Sequence, residues 1–352
     1  MKTVKKIGRF VLAFAFLLGG PAAFAQMTNR PTPHPLPRQT NAANIQTTAG
    51  WVKYDGNPVL GGQLGTCFDV SVLKEGDTYR MWFSWRPKKS LALVESKDGI
   101  HWSEPIIVLG PNKNTGWEDD INRPTVVKRG DTYHLWYTGQ AKGHSSIGYA
   151  ASADGKTWKR MSDKPALSSE QPWEKVALMC PHVLWDEQAR LFRMWYSGGE
   201  QYEPDSIGYA TSPDGLTWTK DADNPIFKPD PKNEWEQHKV AGCQVVKQGD
   251  WYVMFYIGFR DVDYAQIGIA RSRGGVTKWE RHPANPIIRP GENQWDHDAC
   301  YKPYAILDGG KWMLWYNGRR GGSEQIGVVT HEGEDLGFDQ SPAHVTIESR
   351  RD

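Results

Sequence analysis

Several carboxylates fall at positions where five otherwise similar segments of the chain differ from one another. They are Asp69, Asp120 and Glu200, with Asp298 as a reserve candidate. Carboxylates crowded into one place separate their pKa values, so one can remain protonated as an acid while another serves as a base. These residues therefore predict acid–base chemistry in a shared pocket.

Basic side chains accompany these acids at the same positions. Such cations could balance the acids and hydrogen-bond to a polar ligand. Alternatively, the fork of Arg and the point charge of Lys could recognise an anion. The predicted binding set is Trp85, Arg86, Arg123, His182, His238, Lys239, Arg260, Asp298, Lys302 and Arg319.

A repeat of about 60 residues positions these side chains. Its signature is a Ser-x-Asp-Gly segment followed by a tryptophan. Asp-Gly supplies the positive φ that tight turns between antiparallel strands need. Three copies begin at Ser96, Ser152 and Ser212; a fourth, Ser272-Arg273-Gly274-Gly275, has Gly in place of the Asp, and Thr330–Gly333 is a degenerate fifth.

Each copy has an aromatic strand before that turn and a strand of small apolar residues next to it, such as Tyr133–Thr138 and Ile147–Ala150. A shorter strand opens each copy. This pattern predicts an all-β fold, a single five-bladed β-propeller of antiparallel four-stranded blades. The segment Trp51–Leu60 resembles Trp279–Ile288, so we expect it to add an outer strand to the fifth blade and close the ring.

Propellers bind ligands on their axis, where the innermost strands begin and the second strands end. Alignment of the first strands predicts that one residue of each blade shares a level there: Asp69, Arg123, Cys180, Gly242 and Pro303. The second strands are expected to contribute Arg86, Gln140, Glu200, Arg260 and Arg319. These positions differ between blades, as an asymmetric site requires.

Residues that recur in every blade are better explained by packing. Most tryptophans fall into three such classes, whereas Trp85 lies outside them and is the better candidate for stacking on a sugar. A recurring acid after a tryptophan is also interpreted as structural: Glu118, Glu174, Glu236 and Asp296.

Composition excludes several classes of protein. Among 352 residues, 12% are aromatic, too many for a disordered chain. Mean hydropathy is −0.62, which excludes a polytopic membrane protein. Lys and Arg total 42 against 41 Asp and Glu, so a nucleic-acid partner is not expected.

The first 25 residues read as a secretory signal. Basic residues precede the apolar run Phe10–Leu18, and Ala23-Phe24-Ala25 offers small residues for cleavage after Ala25. We expect a secreted or periplasmic protein with no integral membrane span in its mature form. The predicted organisation is a signal peptide (1–25), a flexible leader (26–48), a propeller catalytic domain (49–340) and a tail (341–352).

Four cysteines lie near first-strand starts in different blades: Cys67, Cys180, Cys243 and Cys300. An exported protein permits disulfides, but the pairing cannot be read from these long spacings. Without a Cys-x-x-Cys pair a zinc site is disfavoured. Buried, unpaired thiols are the favoured interpretation.

The strand Phe68–Leu73, followed by Gly76–Tyr79, resembles the blade-one strand that carries the catalytic base or nucleophile in glycoside hydrolase families 43 and 32. The Ser-x-Asp-Gly-x-x-Trp turns are also similar to this five-bladed superfamily, which includes family 130. The resemblance covers about residues 50–338. It implies that Asp69 is a catalytic carboxylate of a glycosidase.

The chain departs from family 43 at two places. Cys180-Pro181 stands where that family has an Asp before Pro, and Ala241-Gly242 stands where it has an acidic Glu before Gly. Glycoside cleavage needs a proton donor as well as a carboxylate facing the anomeric carbon or its water. Asp120 is therefore expected as the acid by position, with Glu200 next.

The resulting prediction is an exported glycoside hydrolase acting on a poly- or oligosaccharide, with an arabinofuranosidase-like activity favoured. The anion, if there is one, would be a uronate, a sulfated sugar or phosphate. Two alternatives remain: a glycoside phosphorylase of family 130 type, and a non-catalytic carbohydrate-binding propeller. No cofactor is expected to be required, although an axial Ca²⁺ is possible.

Overall fold

A computed structural model describes residues 46–339 of the chain. These residues form twenty β-strands, with four 3₁₀ turns of three residues each between them. The strands are β1 (Trp51–Lys53), β2 (Cys67–Glu75), β3 (Thr78–Trp85), β4 (Ser90–Ser96), β5 (Ile106–Leu109), β6 (Asp120–Arg129), β7 (Thr132–Ala141), β8 (His144–Ser152), β9 (Lys159–Arg160), β10 (Ala177–Asp186), β11 (Leu191–Gly199), β12 (Ser206–Ser212), β13 (Thr219–Lys220), β14 (Lys239–Gln248), β15 (Trp251–Phe259), β16 (Ala265–Ser272), β17 (Glu280–Arg281), β18 (Ala299–Asp308), β19 (Lys311–Arg320) and β20 (Ser323–Glu332).

The strands pair in five successive antiparallel units of four. Units 1 to 4 are β2–β5, β6–β9, β10–β13 and β14–β17, and unit 5 is β18, β19 and β20 with β1 at its edge. Units 4 and 5 are joined into one sheet by a single parallel pair, Ala265 with Ala299. The predicted all-β class with four-stranded antiparallel sheets is confirmed.

The first strands of the units neighbour one another in a closed circle: β2 contacts β6, β6 contacts β10, β10 contacts β14, β14 contacts β18, and β18 contacts β2. Tryptophans on second strands join their units to a turn of the next unit. The indole of Trp82 donates to the carbonyl of Gly155 in the next unit, and Trp315 of unit 5 donates to Gly99 of unit 1, at 2.9 and 2.8 Å. The repeated tryptophans therefore have the structural role that the sequence predicted.

The Ser-x-Asp-Gly segments connect the third and fourth strands. In unit 1, Ser96 Oγ accepts hydrogen bonds from the amides of Asp98 and Gly99, and Asp98 Oδ1 accepts from two further amides. Gly99 has a φ of 73°, which a residue with a side chain rarely adopts. The Asp-Gly pair thus supplies the turn geometry expected of it.

The N-terminal segment completes unit 5. Trp51 pairs with His331, and the side chain of Asn57 donates to the carbonyl of Val328 and accepts from its amide, both at 2.8 Å. Asn285 clamps Ile269 of unit 4 in the same way. The predicted equivalence of these two segments and the predicted outer strand are confirmed.

The recurring acids form a buried cluster in units 2 to 5. In unit 2, Glu118 accepts from the Tyr137 hydroxyl at 2.9 Å and pairs with Arg160 of the fourth strand at 3.0 Å. In unit 5, Asp296 pairs with Lys53 of β1 at 2.6 Å. All four acids are fully buried, as their structural interpretation requires: Glu118, Glu174, Glu236 and Asp296.

The predicted signal peptide (1–25) and tail (341–352) lie outside the described residues, as does most of the predicted leader. Its last residues, 46–48, lie against the outer segment of unit 4: Thr47 bridges Ile288, and Thr48 Oγ1 donates to Ala284 O at 2.7 Å. Within residues 46–339, no helix has the length and apolar character needed to cross a membrane.

Candidate active site

A β-bulge interrupts the first strand of every unit at the same depth. In each bulge one residue adopts a left-handed conformation, with φ between 42° and 56°, so the pairing register shifts there. Bulges re-aim side chains, and here each one sits on the inner strand of its unit. The five residues, called the axial level below, are Asp69, Arg123, Cys180, Gly242 and Lys302.

The predicted level is therefore right in four units and wrong in unit 5, where Lys302 replaces Pro303. The sequence alignment matched Leu307 with the strand endings of the other units. The bulge between Tyr301 and Tyr304 makes Ile306 the true equivalent. A shift of one residue exchanges the side chains that face a given side of a strand, so a lysine enters the level.

Side chains of the preceding unit hold the bulges in place. The amide of Arg123 donates to Ser84 Oγ at 2.8 Å, and the amide of Gly242 donates to Ser197 Oγ at 2.8 Å. The amide of Asp69 likewise donates to Asn317 Oδ1 at 2.9 Å. These polar residues follow the aromatic of each second strand, a sequence signal that could have identified the level.

Asp69 is the acid of the axial level, and only 3% of it is exposed. Asn317 Nδ2 donates to its Oδ1 at 2.7 Å, and Arg123 Nε lies 3.4 Å from its Oδ2. Burial raises the pKa of Asp69 above its usual value, and this effect exceeds the opposing charges of Arg123 and Lys302. The carboxyl is thus fixed in place while its proton affinity is increased.

Arg123 spans the space between Asp69 and the neighbouring unit. Its Nη1 donates to Asn122 Oδ1 at 2.5 Å, and the Asn122 amide donates to Gln140 Oε1 at 2.6 Å. Gln140 also bonds the hydroxyl of Tyr202, which belongs to the β11–β12 loop. This network holds the guanidinium in place and links it to Tyr202, whose side chain is exposed.

Lys302 and Cys180 complete the level. Lys302 is buried, and its ammonium makes no hydrogen bond or ion pair with another residue in the described part of the chain. Burial raises the pKa of the Cys180 thiol, which therefore carries no charge at neutral pH. The four cysteines are all buried and unpaired, in agreement with the favoured interpretation of the sequence.

Glu324 on β20 is a carboxylate at this site that sequence reasoning missed. Its Oε2 accepts from Arg86 Nη2 at 2.9 Å, its Oε1 accepts from the Tyr301 hydroxyl, and its charge raises the pKa of Asp69. It sits on a third strand, whereas the predicted pocket used only first and second strands.

The other two predicted catalytic carboxylates lie further from this cluster. Asp120 pairs with Gln140 and is half-buried, and its charge raises the pKa of Tyr202. Glu200 directly follows Gly199, the last residue of β11, and is exposed. Its carboxylate makes no hydrogen bond or ion pair with another described residue. Arg260, one residue beyond the Lys239–Phe259 pair, instead bonds Asp261.

His182 lies in the interior rather than in the pocket. Its Nε2 contacts the carbonyl of Val245 in the next unit at 2.7 Å, and its ring packs near Trp195 and Tyr304. Burial lowers the pKa of His182 to about 3, so the imidazole is neutral. His182 therefore takes part in the contact between units 3 and 4.

Most remaining predicted residues have local partners. Trp85 packs in the core between units 5 and 1, and its indole donates to Leu64 O at 2.8 Å. Lys239 lies over the Phe259 ring, with its Nζ 4.0 Å from Glu203. Asp298 accepts from the Gly321 amide, Arg319 donates to Asp263 O, and the exposed His238 donates its amide to Phe259 O.

The site therefore contains a buried, hydrogen-bonded carboxyl, two cations beside it and a second carboxylate within electrostatic reach. Such a set can position a polar substrate and exchange protons with it. Among residues 46–339 no group of three or more His, Cys, Asp or Glu side chains is arranged to hold a metal ion.

Comparison with known proteins places the chain in context. The model of glycosyl hydrolases family 43 matches residues 56–334. An uncharacterized protein of Mycobacterium tuberculosis is 27% identical over 282 residues, which span 73% of this chain and 89% of that protein. A probable arabinan endo-1,5-α-L-arabinosidase A of Aspergillus oryzae is 27% identical over 226 residues, covering 62% and 66% of the two chains.

A solved structure of β-1,2-mannobiose phosphorylase from Listeria innocua has the same fold. It superposes with a TM-score of 0.62 over 80% of this chain and 96% of its own, at 13% identity.

Proposed function

Because the chain belongs to glycosyl hydrolases family 43 and is a glycoside hydrolase, we propose that it is exported and cleaves a poly- or oligosaccharide in the axial pocket of a five-bladed β-propeller. The closed circle of first strands supports the five-bladed architecture. The basic, apolar and small-residue pattern of the first 25 residues supports export.

The observation that carries the proposal is the environment of Asp69. A carboxyl that is buried, held by Asn317 and flanked by Arg123 can face an anomeric carbon or its water without being displaced by solvent. Its position in the unit-1 bulge is fixed by the backbone as well as by the side chain. We assign Asp69 the role of base or nucleophile.

A second carboxylate must protonate the leaving oxygen. Of the candidates, Glu324 ranks first because its charge reaches Asp69 and its Oε1 is held by Tyr301. Arg86, which pairs with Glu324, is 41% exposed at the side chain. That ion pair therefore lies at the mouth of the pocket, where an entering leaving group can separate it. Asp120 ranks second and the exposed Glu200 third.

The favoured substrate is a furanoside such as an arabinofuranoside. The support is the family and the Aspergillus relative named as a probable arabinan endo-1,5-α-L-arabinosidase. Neither determines the sugar of this chain, so the substrate must be found by screening.

The test is product release from a panel of plant, algal and microbial glycans by the wild type and by Asp69→Asn. General acid–base groups contribute about 10²–10⁴-fold to the rate, and a loss of that size is expected for Asp69→Asn. Asp308→Asn, at the far end of β18, is the matched control. Turnover that survives in Asp69→Asn would refute the assignment of Asp69.

The second carboxylate is tested in the same assay. Glu324→Gln keeps the hydrogen bond to Tyr301 but cannot donate an acidic proton, whereas Glu332→Gln alters an exposed acid of the same strand. A substrate whose leaving group needs no protonation should be cleaved normally by Glu324→Gln. If that variant retains full activity on ordinary glycosides, the acid is Asp120 or Glu200.

Phosphorolysis is the second candidate function. The observation in its favour is the excess of positive charge beside Asp69, where Arg123 and Lys302 face a single carboxyl. A phosphorylase would release sugar phosphate and require inorganic phosphate. Release of free sugar in phosphate-free buffer would exclude it.

A further inference from the structure

Lys302 is a buried cation without a partner. Only 3% of the residue is exposed, yet its ammonium makes no hydrogen bond or ion pair with any residue that the structure describes. The bulge of β18 fixes its backbone at a φ of 51°. The Lys302 Nζ is not fully enclosed by protein, so this unpaired charge is available to a ligand.

The charge of Lys302 acts on several neighbouring units. It lowers the pKa of Asp69 in unit 1 and of Cys180 and His182 in unit 3. The Lys302 side chain lies against Gly242 of the same level, where an added Cβ would come within 3.2 Å of Lys302 Cδ. It is therefore presented to the same space that Asp69 faces.

Arg123 offers a second set of donors to this space. Its Nε is beside Asp69 and its Nη1 is bonded to Asn122, but its Nη2 makes no hydrogen bond with the residues described. The side chain is partly exposed. One edge of the guanidinium thus remains available for an acceptor from a ligand.

Charges at the axial level do not cancel. Cys180 and His182 are neutral at pH 7 for the reasons given above. Asp69 supplies at most one negative charge against two positive charges from Arg123 and Lys302. The charges of Glu324 and Glu203 also reach Asp69 and Arg123, but each of these acids has a cation of its own. Other cations near the pocket have acids of their own: Arg86 has Glu324, Lys239 has Glu203 and Arg319 has Asp263.

We propose that Lys302 and Arg123 bind a carboxylate carried by the substrate, that of a uronosyl residue at or next to the cleaved bond. One surplus positive charge matches one carboxylate, whereas inorganic phosphate at neutral pH is a mixture of the singly and doubly charged forms. The inference rests on the proposed function, because it places the sugar beside Asp69.

The test is calorimetric binding of D-galacturonate and D-glucuronate to the purified protein, with D-galactose, D-glucose and L-arabinose as neutral probes and inorganic phosphate as the competing anion. Losing one partner of a buried charge pair costs more than tenfold in affinity. The wild type should therefore prefer a uronate to its neutral counterpart by about tenfold or more.

Lys302→Met should abolish this preference while neutral sugars bind as before. Lys311→Met, on the neighbouring strand β19 and paired with exposed Glu332, is the matched control and should keep the preference. If Lys302→Met does not fold, Lys302→Gln removes the charge with a polar side chain in its place.

Three results would overturn the inference: equal affinity for uronates and neutral sugars, a preference that survives in both Lys302 variants, or tighter binding of phosphate than of either uronate. Binding does not depend on turnover. A protein that binds uronates but cleaves nothing would keep this inference and lose the proposed hydrolysis, and cleavage of neutral glycosides without any uronate preference would do the reverse.

Discussion

The outer acid clusters and the axial level both place charged residues inside the protein at equivalent positions of the units, but they differ in how the charges are matched. In the outer clusters, a fully buried acid has a tyrosine and a basic residue of the fourth strand as partners in each of four units. At the axial level the residue type changes from unit to unit, and Lys302 lacks a partner. Matched, repeated charges stabilise the fold, whereas unmatched and divergent ones are available to a ligand.

The largest expected effect comes from breaking an outer cluster. Glu174→Gln would leave the buried Lys220 with only the exposed Glu170 as a charge partner, and removal of one member of a buried pair costs about 3–5 kcal/mol of unfolding free energy. Glycosidase activity per folded molecule should not change. Denaturant unfolding with an activity assay measures both.

Glu170→Gln is the matched control, because Glu170 contacts the same lysine at 3.6 Å but is 73% exposed at the side chain. Removing the charge of Glu170 should lower the free energy of unfolding by no more than about 1 kcal/mol. Equal costs for the two variants would mean that burial does not distinguish the outer cluster from a surface pair.

The next effect concerns His182, which sits next to the axial level in sequence but behaves as a structural residue. Its folded-state pKa of about 3 lies below the 6.5 of an unfolded chain. The unfolded state therefore binds the proton first, and stability is lost as pH falls from 6.5 toward 3. At pH 5 the free energy of unfolding is lower by about 2 kcal/mol than it would be without this proton uptake.

His182→Gln, which retains a donor for Val245 O, should remove that part of the acid sensitivity. Denaturant unfolding at pH 7 and pH 5 gives the comparison, with His144→Gln as an exposed control. If the pH dependence is identical in all three proteins, His182 is not the buried neutral group described here.

A further change sharpens the comparison at Asp69. The charge of Lys302 lowers the pKa of Asp69 against the larger raising effect of burial. Since a base must be ionised, Lys302→Met should move the acid limb of the kcat/KM profile to higher pH by about one unit. Lys311→Met should leave the profile in place, and a shift to lower pH in Lys302→Met would contradict the assignment.

The smallest effects come from the hydrogen bonds that hold the bulges. Ser84→Ala and Ser197→Ala each remove one 2.8 Å bond to a bulge amide, worth about 1 kcal/mol. Only the Ser84 variant should also lower kcat/KM, because its bulge carries Arg123 whereas the other carries Gly242. Equal activities of the two variants would mean that the bulge bond does not position the guanidinium.

Much of the fold could be predicted because its signals are local and repeated. The Ser-x-Asp-Gly turns and the outer strand of unit 5 follow from short segments compared with one another. The buried acids were recognised by recurrence alone. Asp69 and Arg123 were placed at one level correctly because units 1 and 2 share the same spacing to the strand end.

The remainder depends on contacts between distant residues. Glu324 joins Asp69 from a different strand and unit, about 250 residues away in the chain, and no local pattern marks it. His182 was expected in the pocket, yet the backbone of the next unit binds its ring nitrogen.

The sequence by itself determined the repeated strands, the turns and the residues that pack between units, because alternation, turn glycines and recurrence act over a few residues. Only the tertiary structure decided which side chains share the axis. Every first strand carries the same bulge, and the paired register, which the apparent strand ending at Leu307 did not reveal, identifies Lys302 rather than Pro303 as the residue at that level in unit 5. Closure of the ring brings charged residues of different units together, and it leaves Lys302 without a hydrogen-bond or ion-pair partner among the described residues.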